Sequence, residues 1–166
     1  KLHDIPNTVE HGVKTLSKLK VDMLSIHAGG GLDMMKEAKK YANGIKIIAV
    51  TLLTSITQAI LNKDLMINNY SDKVVMHYAK NAKAAALDGI VCSVHESKAI
   101  KNSIKGLLTV TPGIRLENGN KHDQKRVATV KQARANKSDY IVVGRAITKA
   151  SNPLAVYNKI LKEFNK

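Results

Sequence analysis

The sequence predicts an α/β protein built on a parallel sheet, and three observations carry that prediction. Short runs rich in β-branched residues recur at 22–27, 46–51, 89–93, 107–111 and 140–143. None of them alternates with polar residues, which is the pattern of strands covered on both faces. Apolar residues between the runs fall at helical spacing, so each strand is followed by a helix or loop, the alternation that builds parallel sheets. With 166 residues, 44% of them apolar and 24% charged, the chain is expected to form one domain, 1–166, around a real hydrophobic core.

From the beginning of the chain, Pro6 is tolerated in a first helical turn, and Val9, Val13 and Leu16 then share one face. The run at 22–27 leads into Ala28-Gly-Gly-Gly31, which lacks the spacing of a Walker loop or a dinucleotide fingerprint and reads as a permissive βα turn. The next run ends in Thr51-Leu-Leu-Thr-Ser55, whose hydroxyls can bond a heterocycle or cap a helix. Val75, Ala79, Ala82 and Ala86 make a second helical stripe. Cys92, the single cysteine, has no thiol partner for a disulfide or a zinc clip and reads as a small buried strand residue. Pro112 and Gly113 force a turn after the fourth run, and the polar, weakly periodic stretch that follows is long for an ordinary connection, as binding loops are. Gly144 after the last run lets a phosphate approach backbone N–H groups, and Arg145 can pair with it bidentately. Asn152 and Pro153 start a final helix striped by Tyr157, Ile160, Leu161 and Phe164.

Several function classes are disfavoured. The longest apolar stretch, 47–53, is too short to span a bilayer, and the beginning does not resemble a signal peptide, so a cytoplasmic location and no membrane partner are expected. A formal net charge of +14 invites nucleic acid. Yet lysines such as Lys36, Lys39, Lys40, Lys159 and Lys162 lie scattered on polar helix faces, and aromatic residues for base stacking are only 4%. A solvated lysine-rich surface is the better reading, with attraction of a small anionic substrate as a by-product and no nucleic-acid partner. His27, His77, His95 and His122 show no metal-ligand spacing, and no metal is expected.

The opening residues, Lys1-Leu-His-Asp-Ile-Pro-Asn-Thr8, read as the end of a strand entering a helix, with no strand body before it. Spacing alone leaves two readings. Lys1 and Asp4 can place a cation beside a carboxylate, favouring a charged lysine able to act as a general acid. Alternatively Lys1 is a loose terminal residue and Asp4 part of a helix cap.

These eight residues resemble the latter part of the signature Asp-x-Lys-x-x-Asp-Ile-x-x-Thr of the orotidine 5'-phosphate decarboxylase family, in its bacterial form. Thr111-Pro-Gly-Ile-Arg115, Asp123-Gln-Lys-Arg126 and Val142-Val-Gly-Arg-Ala-Ile147 are similar to further motifs of that family, in the family's order along the chain. The resemblance implies a (β/α)8 TIM barrel. Such barrels typically need about 250 residues, so the first two strands and most of the third are expected to be lacking here. It implies conversion of orotidine 5'-monophosphate to UMP and carbon dioxide, in pyrimidine biosynthesis, without a cofactor. Lys1 is then the proton donor to C6 of the pyrimidine, Asp4 an acid given to the neighbouring subunit's charged array, and Thr8 a ribose contact across the same homodimer interface. Thr54 becomes a pyrimidine-side contact, Arg115 and Gln124 ligand contacts of a phosphate-covering loop, and Gly144 with Arg145 the phosphate grip.

The family's aspartate two residues before Lys1, a ligand-binding aspartate and a second lysine have no counterpart in this sequence, so the isolated 166-residue chain is expected to be inactive or nearly so. Magnesium-dependent sugar-phosphate decarboxylases and aldolases share the Asp-x-Lys-x-x-Asp core, but the Ile-Pro-Asn-Thr and Thr-Pro-Gly-Ile-Arg segments disfavour them. The remaining alternatives are an inactive phosphate-binding fragment and a basic nucleic-acid-binding module, the latter predicting salt-dependent binding to any strand.

Overall fold

A computed structural model of the chain describes residues 1–116 and 126–165. Pro6 opens α1 (Pro6–Ser17), which buries Val9 and Val13. There follow β1 (Met23–His27), a 3-10 turn over Ala28–Gly30, α2 (Gly31–Lys40), β2 (Lys46–Val50), α3 (Gln58–Lys63) and α4 (Ser71–Ala84). Next come β3 (Gly89–Val91), α5 (Val94–Ser103), β4 (Leu108–Thr111) and the two-residue strands β5 (Ile114–Arg115) and β6 (Ala128–Thr129). The described chain closes with α6 (Val130–Ala135), β7 (Tyr140–Ile141), the short α7 (Arg145–Thr148) and α8 (Pro153–Phe164), whose start is capped by the Asn152 side chain accepting the Ala155 N–H.

All five expected strand runs form strands, and they pair in parallel in the order β1-β2-β3-β4-β7. Leu2 extends the far edge: its N–H donates to Ser25 O at 3.2 Å and its carbonyl accepts the His27 N–H at 2.9 Å. Because every strand runs the same way, all five C-terminal ends lie on one edge of the sheet. Gly89, the first residue of β3, allows the strands to close up at the opposite, N-terminal edge, since a Cβ at that position would sit 2.7 Å from Leu108 O and 3.1 Å from Ile48 Cγ2. The larger core joins the strands to α1, α2 and α4 through Ile26, Met34, Met35, Ile47, Val75 and Ile90; a smaller one gathers Val94, Ile114, Val130 and Ile160.

Three expectations are corrected. Complete burial holds for most of β2 but not for β1 or β7, which are the sheet's edges; Tyr140 is 47% exposed. Ala86 leaves the stripe of Val75, Ala79 and Ala82 because α4 ends at Ala84 and Ala86 turns to φ 56°. In α8 Ile160 is buried, but Tyr157 and Leu161 are exposed beside an open hollow of about 410 Å³ at the β7 edge. The pair β5-β6 was unpredicted, since two residues are too few to show a period.

At the N-terminal edge of the sheet one arrangement occurs twice. Asp88, preceding β3, accepts the Ile47 N–H of β2 and the Lys39 ammonium of α2, both at 2.7 Å. Asp139, preceding β7, accepts the Thr109 N–H of β4 at 2.7 Å and pairs with Lys101 of α5 at 2.8 Å. Each aspartate thus satisfies a strand N–H and neutralises a lysine from the helix before that strand. Burial works to raise the Asp139 carboxyl, but Lys101 and the Thr109 donors outweigh it and hold the group below the usual carboxylate range. Among the described residues no helix is long and apolar enough to cross a membrane.

Candidate active site

The C-terminal edge of the sheet carries the polar groups singled out in the sequence. A cavity of about 360 Å³ opens there, lined among others by Lys1, Ser25, Val50, Thr54, Val110 and Val142. The structure therefore brings Lys1 and Thr54 together in one apolar-walled space. Lys1 is not a loose end, because the Leu2 backbone that follows it is bonded into β1. It makes no ion pair among the described residues.

Three hydroxyls follow β2, and the structure separates them. Thr51 is buried, and its hydroxyl donates to Val91 O of β3 at 2.8 Å, so it is consumed by the sheet. Thr54 and Ser55 line the cavity. The helix cap belongs to none of these, but to Thr57, which accepts the Ile60 N–H at 3.2 Å and starts α3. Capping therefore leaves the Thr54 hydroxyl available.

The other selected residues are placed differently. Asp4 is exposed, and its Oδ1 accepts the adjacent Ile5 N–H at 2.7 Å rather than capping α1. Thr8 is exposed on the first turns of α1. Neither lines the cavity of Lys1. Gly144 immediately precedes α7, accepts the Ile147 N–H at 2.8 Å, and has open space where a Cβ would stand. Arg145 is half-buried as the first residue of α7. Both follow β7 on the same sheet edge as Lys1. Arg115 is not brought to Lys1: it is buried, donates to Ile114 O at 2.8 Å, and lines a separate hollow of about 350 Å³ with Thr129, Lys131, Lys159 and Glu163. Gln124 lies outside the described residues.

Sequence reasoning missed several neighbours of the site. Ser25, a polar residue inside an otherwise apolar run, was the available signal for an inward-facing position on β1. His3 and His27 stack at 5.1 Å between ring centroids, next to Lys1 in the chain and at the end of β1. Burial, followed by the charges of His3 and Lys1, pushes the His27 imidazole down, which restrains a second cation from forming beside the lysine. The two rings come from separate segments with all of α1 between them, so no local spacing announces the pair.

Comparison with known proteins gives the fold a family. Residues 1–160 match the model of the orotidine 5'-phosphate decarboxylase / HUMPS family. The chain is 48% identical to the orotidine 5'-phosphate decarboxylase of Staphylococcus saprophyticus, an alignment covering 99% of this chain and 74% of that protein. It is 47% identical to the enzyme of that name from Lactococcus lactis subsp. cremoris, over 99% of this chain and 73% of the relative. The crystal structure of orotidine 5'-phosphate decarboxylase from Lactobacillus acidophilus superimposes with a TM-score of 0.87 at 41% identity, covering all of this chain and 73% of that one. The parallel strand order and βα alternation described above are those of the expected TIM-barrel class.

Proposed function

The chain belongs to the orotidine 5'-phosphate decarboxylase / HUMPS family, and from that premise we propose that it serves the decarboxylation of orotidine 5'-monophosphate to UMP in pyrimidine biosynthesis. The observation that carries the reading is the shared cavity of Lys1 and Thr54, on the sheet edge where Gly144 and Arg145 follow the last strand.

The chemistry asks for little more than placed charge. As carbon dioxide leaves, the electron pair of the broken bond stays on C6, where the ring offers no conjugated sink. The Lys1 ammonium stabilises that developing negative charge from a low-dielectric wall and then gives C6 its proton. Thr54 orients the pyrimidine from the β2 side. Gly144 and Arg145 hold the phosphate, with Gln124 as a further ligand contact and Arg115, by its family motif alone and from a separate hollow, as another, and binding energy from that remote group is used at the ring. Asp4 and Thr8, both exposed, are offered to a second copy of the chain, so the working unit is a homodimer in the cytoplasm. The site needs no cofactor, and the chain forms one domain. The magnesium-dependent sugar-phosphate reading is not favoured, since the relatives named above are orotidine 5'-phosphate decarboxylases.

The test is the absorbance loss of orotidine monophosphate with UMP as product, run beside an intact-mass measurement of the same sample. Turnover without added magnesium supports the reading. Turnover of a sugar phosphate instead, only with magnesium, overturns it. Robust turnover by a sample whose mass equals that of the 166 residues would overturn the expectation that this length of chain is inactive alone.

A further inference from the structure

Arg126 ends the Asp123-Gln-Lys-Arg126 segment and does not line the cavity of Lys1. Its bonding is unusual in being aimed at one stretch of backbone. The guanidinium Nη2 donates to Leu52 O at 3.1 Å and to Leu53 O at 3.2 Å, and the Arg126 main-chain N–H reaches Thr54 O at 3.4 Å. Three successive carbonyls after β2 thus accept from one residue. The other guanidinium nitrogen, Nη1, pairs with Glu96 Oε1.

Both ends of this strut are themselves fixed. Glu96 stands in the first turn of α5, and its second carboxylate oxygen accepts the Ser93 N–H at 2.7 Å, so the carboxylate is held before Arg126 meets it. On the other side, Gly113 adopts φ 82° and leaves room for the Arg126 carbonyl, which would be 2.8 Å from a Cβ there. Ala128 N–H donates to Gly113 O at 3.1 Å and keeps this crossing in register. The pair is largely shielded, at 18% and 12% side-chain exposure, so the charge-assisted bonds are less weakened by solvent than surface ones.

The segment held in this way bears Thr54. Without Arg126, the turn at 52–55 would rely on the Ile56 N–H to Leu53 O bond at 3.0 Å and on the Thr57 cap further on. We propose that Arg126 is a positioning residue for the decarboxylation site: by gripping the carbonyls of Leu52, Leu53 and Thr54 from the Glu96 side, it sets the Thr54 side chain against the cavity of Lys1. This rests on the reading of Thr54 as a pyrimidine contact. The role concerns the ring end of the substrate, so loss of Arg126 acts on kcat more than on phosphate-dominated binding.

The test uses Arg126→Ala and Arg126→Lys, the second retaining a cation for Glu96 but unable to span both carbonyls, together with Thr54→Ala and the double variant Arg126→Lys/Thr54→Ala. Hydrogen exchange of the 52–57 amides comes first and does not depend on turnover. Exchange is expected to quicken in Arg126→Lys while the melting temperature stays at the parent value; unchanged exchange overturns the anchoring. In a preparation that turns over, Thr54→Ala and Arg126→Lys are each expected to lower kcat about tenfold, the worth of one good hydrogen bond, with KM within about twofold of the parent. The double variant is expected to be no worse than either single one, because Arg126 acts through Thr54. If Thr54→Ala alone retains full activity, the pyrimidine-contact reading fails, whatever Arg126 does. If Thr54→Ala is impaired but Arg126→Lys is not, or if the two losses multiply, the positioning role is wrong. Should Arg126→Ala fail to fold, Arg126→Lys still decides the matter.

Discussion

At the N-terminal edge of the sheet Lys39 meets Asp88 at 2.7 Å and Lys101 meets Asp139 at 2.8 Å, while at the C-terminal edge Lys1 faces a cavity of about 360 Å³ with no ion pair among the described residues. The same residue type is spent in two ways. Below, each lysine is matched to an aspartate that also accepts a strand N–H, which leaves its charge with little capacity for anything else. Above, the cation lines an apolar-walled space and makes no ion pair among the described residues, which is the arrangement the proposed reaction asks for. Within one sheet, then, a lysine whose ion pair and hydrogen bonds are complete is accounted for by structure, and the one that lines a cavity without an ion pair among the described residues is the candidate for chemistry.

Four expected outcomes bear on that contrast, taken from the largest effect down. In a preparation that turns over, Lys1→Ala should lower kcat/KM for orotidine monophosphate by about 10³-fold or more, because it removes both the cation and the proton donor, while leaving thermal unfolding unchanged. A large drop in melting temperature would put Lys1 with the structural lysines instead. Arg145→Ala should raise KM by roughly 10- to 100-fold through loss of a charge-assisted phosphate contact, and phosphate-free substrate analogues should be bound equally by parent and variant. An equal loss for the analogues would break the assignment.

Asp139→Ala should do the reverse, costing about 1–2 kcal/mol in denaturant unfolding through the stranded Thr109 N–H and Lys101. Its effect on kcat should be less than about twofold, since the clamp and the site occupy opposite edges. The smallest effect is a pH dependence. The folded state holds the Asp139 carboxyl below its ordinary value, so its contribution is complete above the unfolded pKa of about 3.9 and fades as pH falls through the lower folded value. Asp139→Asn keeps an acceptor for Thr109 but no charge. Unfolding curves of parent and variant should therefore lie apart at neutral pH and converge in acid below about pH 4; parallel curves down to about pH 2 would show that Lys101 draws no stability from the charge.

The sheet was legible because a long β-branched run without polar alternation, such as 46–51, fits a doubly covered strand and is too short for a buried helix, and all five runs are paired in sequence order. Helix faces were legible where a stripe stayed inside its helix, as with Val9 and Val13, and failed where it ran past the end, as at Ala86, or onto an edge left open among the described residues, as at Tyr157 and Leu161. Within the candidate site, Lys1 and Thr54 stood out as polar groups at strand ends, but only the family resemblance favoured them over a loose terminus and a helix cap, while Gly144 with Arg145 showed directly as a glycine and a cation after the last run. Arg115 stood in an equally suggestive motif, yet its side chain lines a different hollow from Lys1. Motif position gives the backbone address but not the direction of the side chain.

What the sequence by itself determined is the class of the fold, the succession of strands and helices along the chain and the residue types available at each strand end, because periodicity and composition are local properties of the chain. The tertiary structure alone decided which of those residues meet. The Lys101–Asp139 clamp spans 38 positions, Arg126 reaches 74 positions back to Leu52, and His3 finds His27 across the whole of α1. Such contacts depend on strand register and on where each strand's side chains point, and these are settled only when the whole sheet closes on its core.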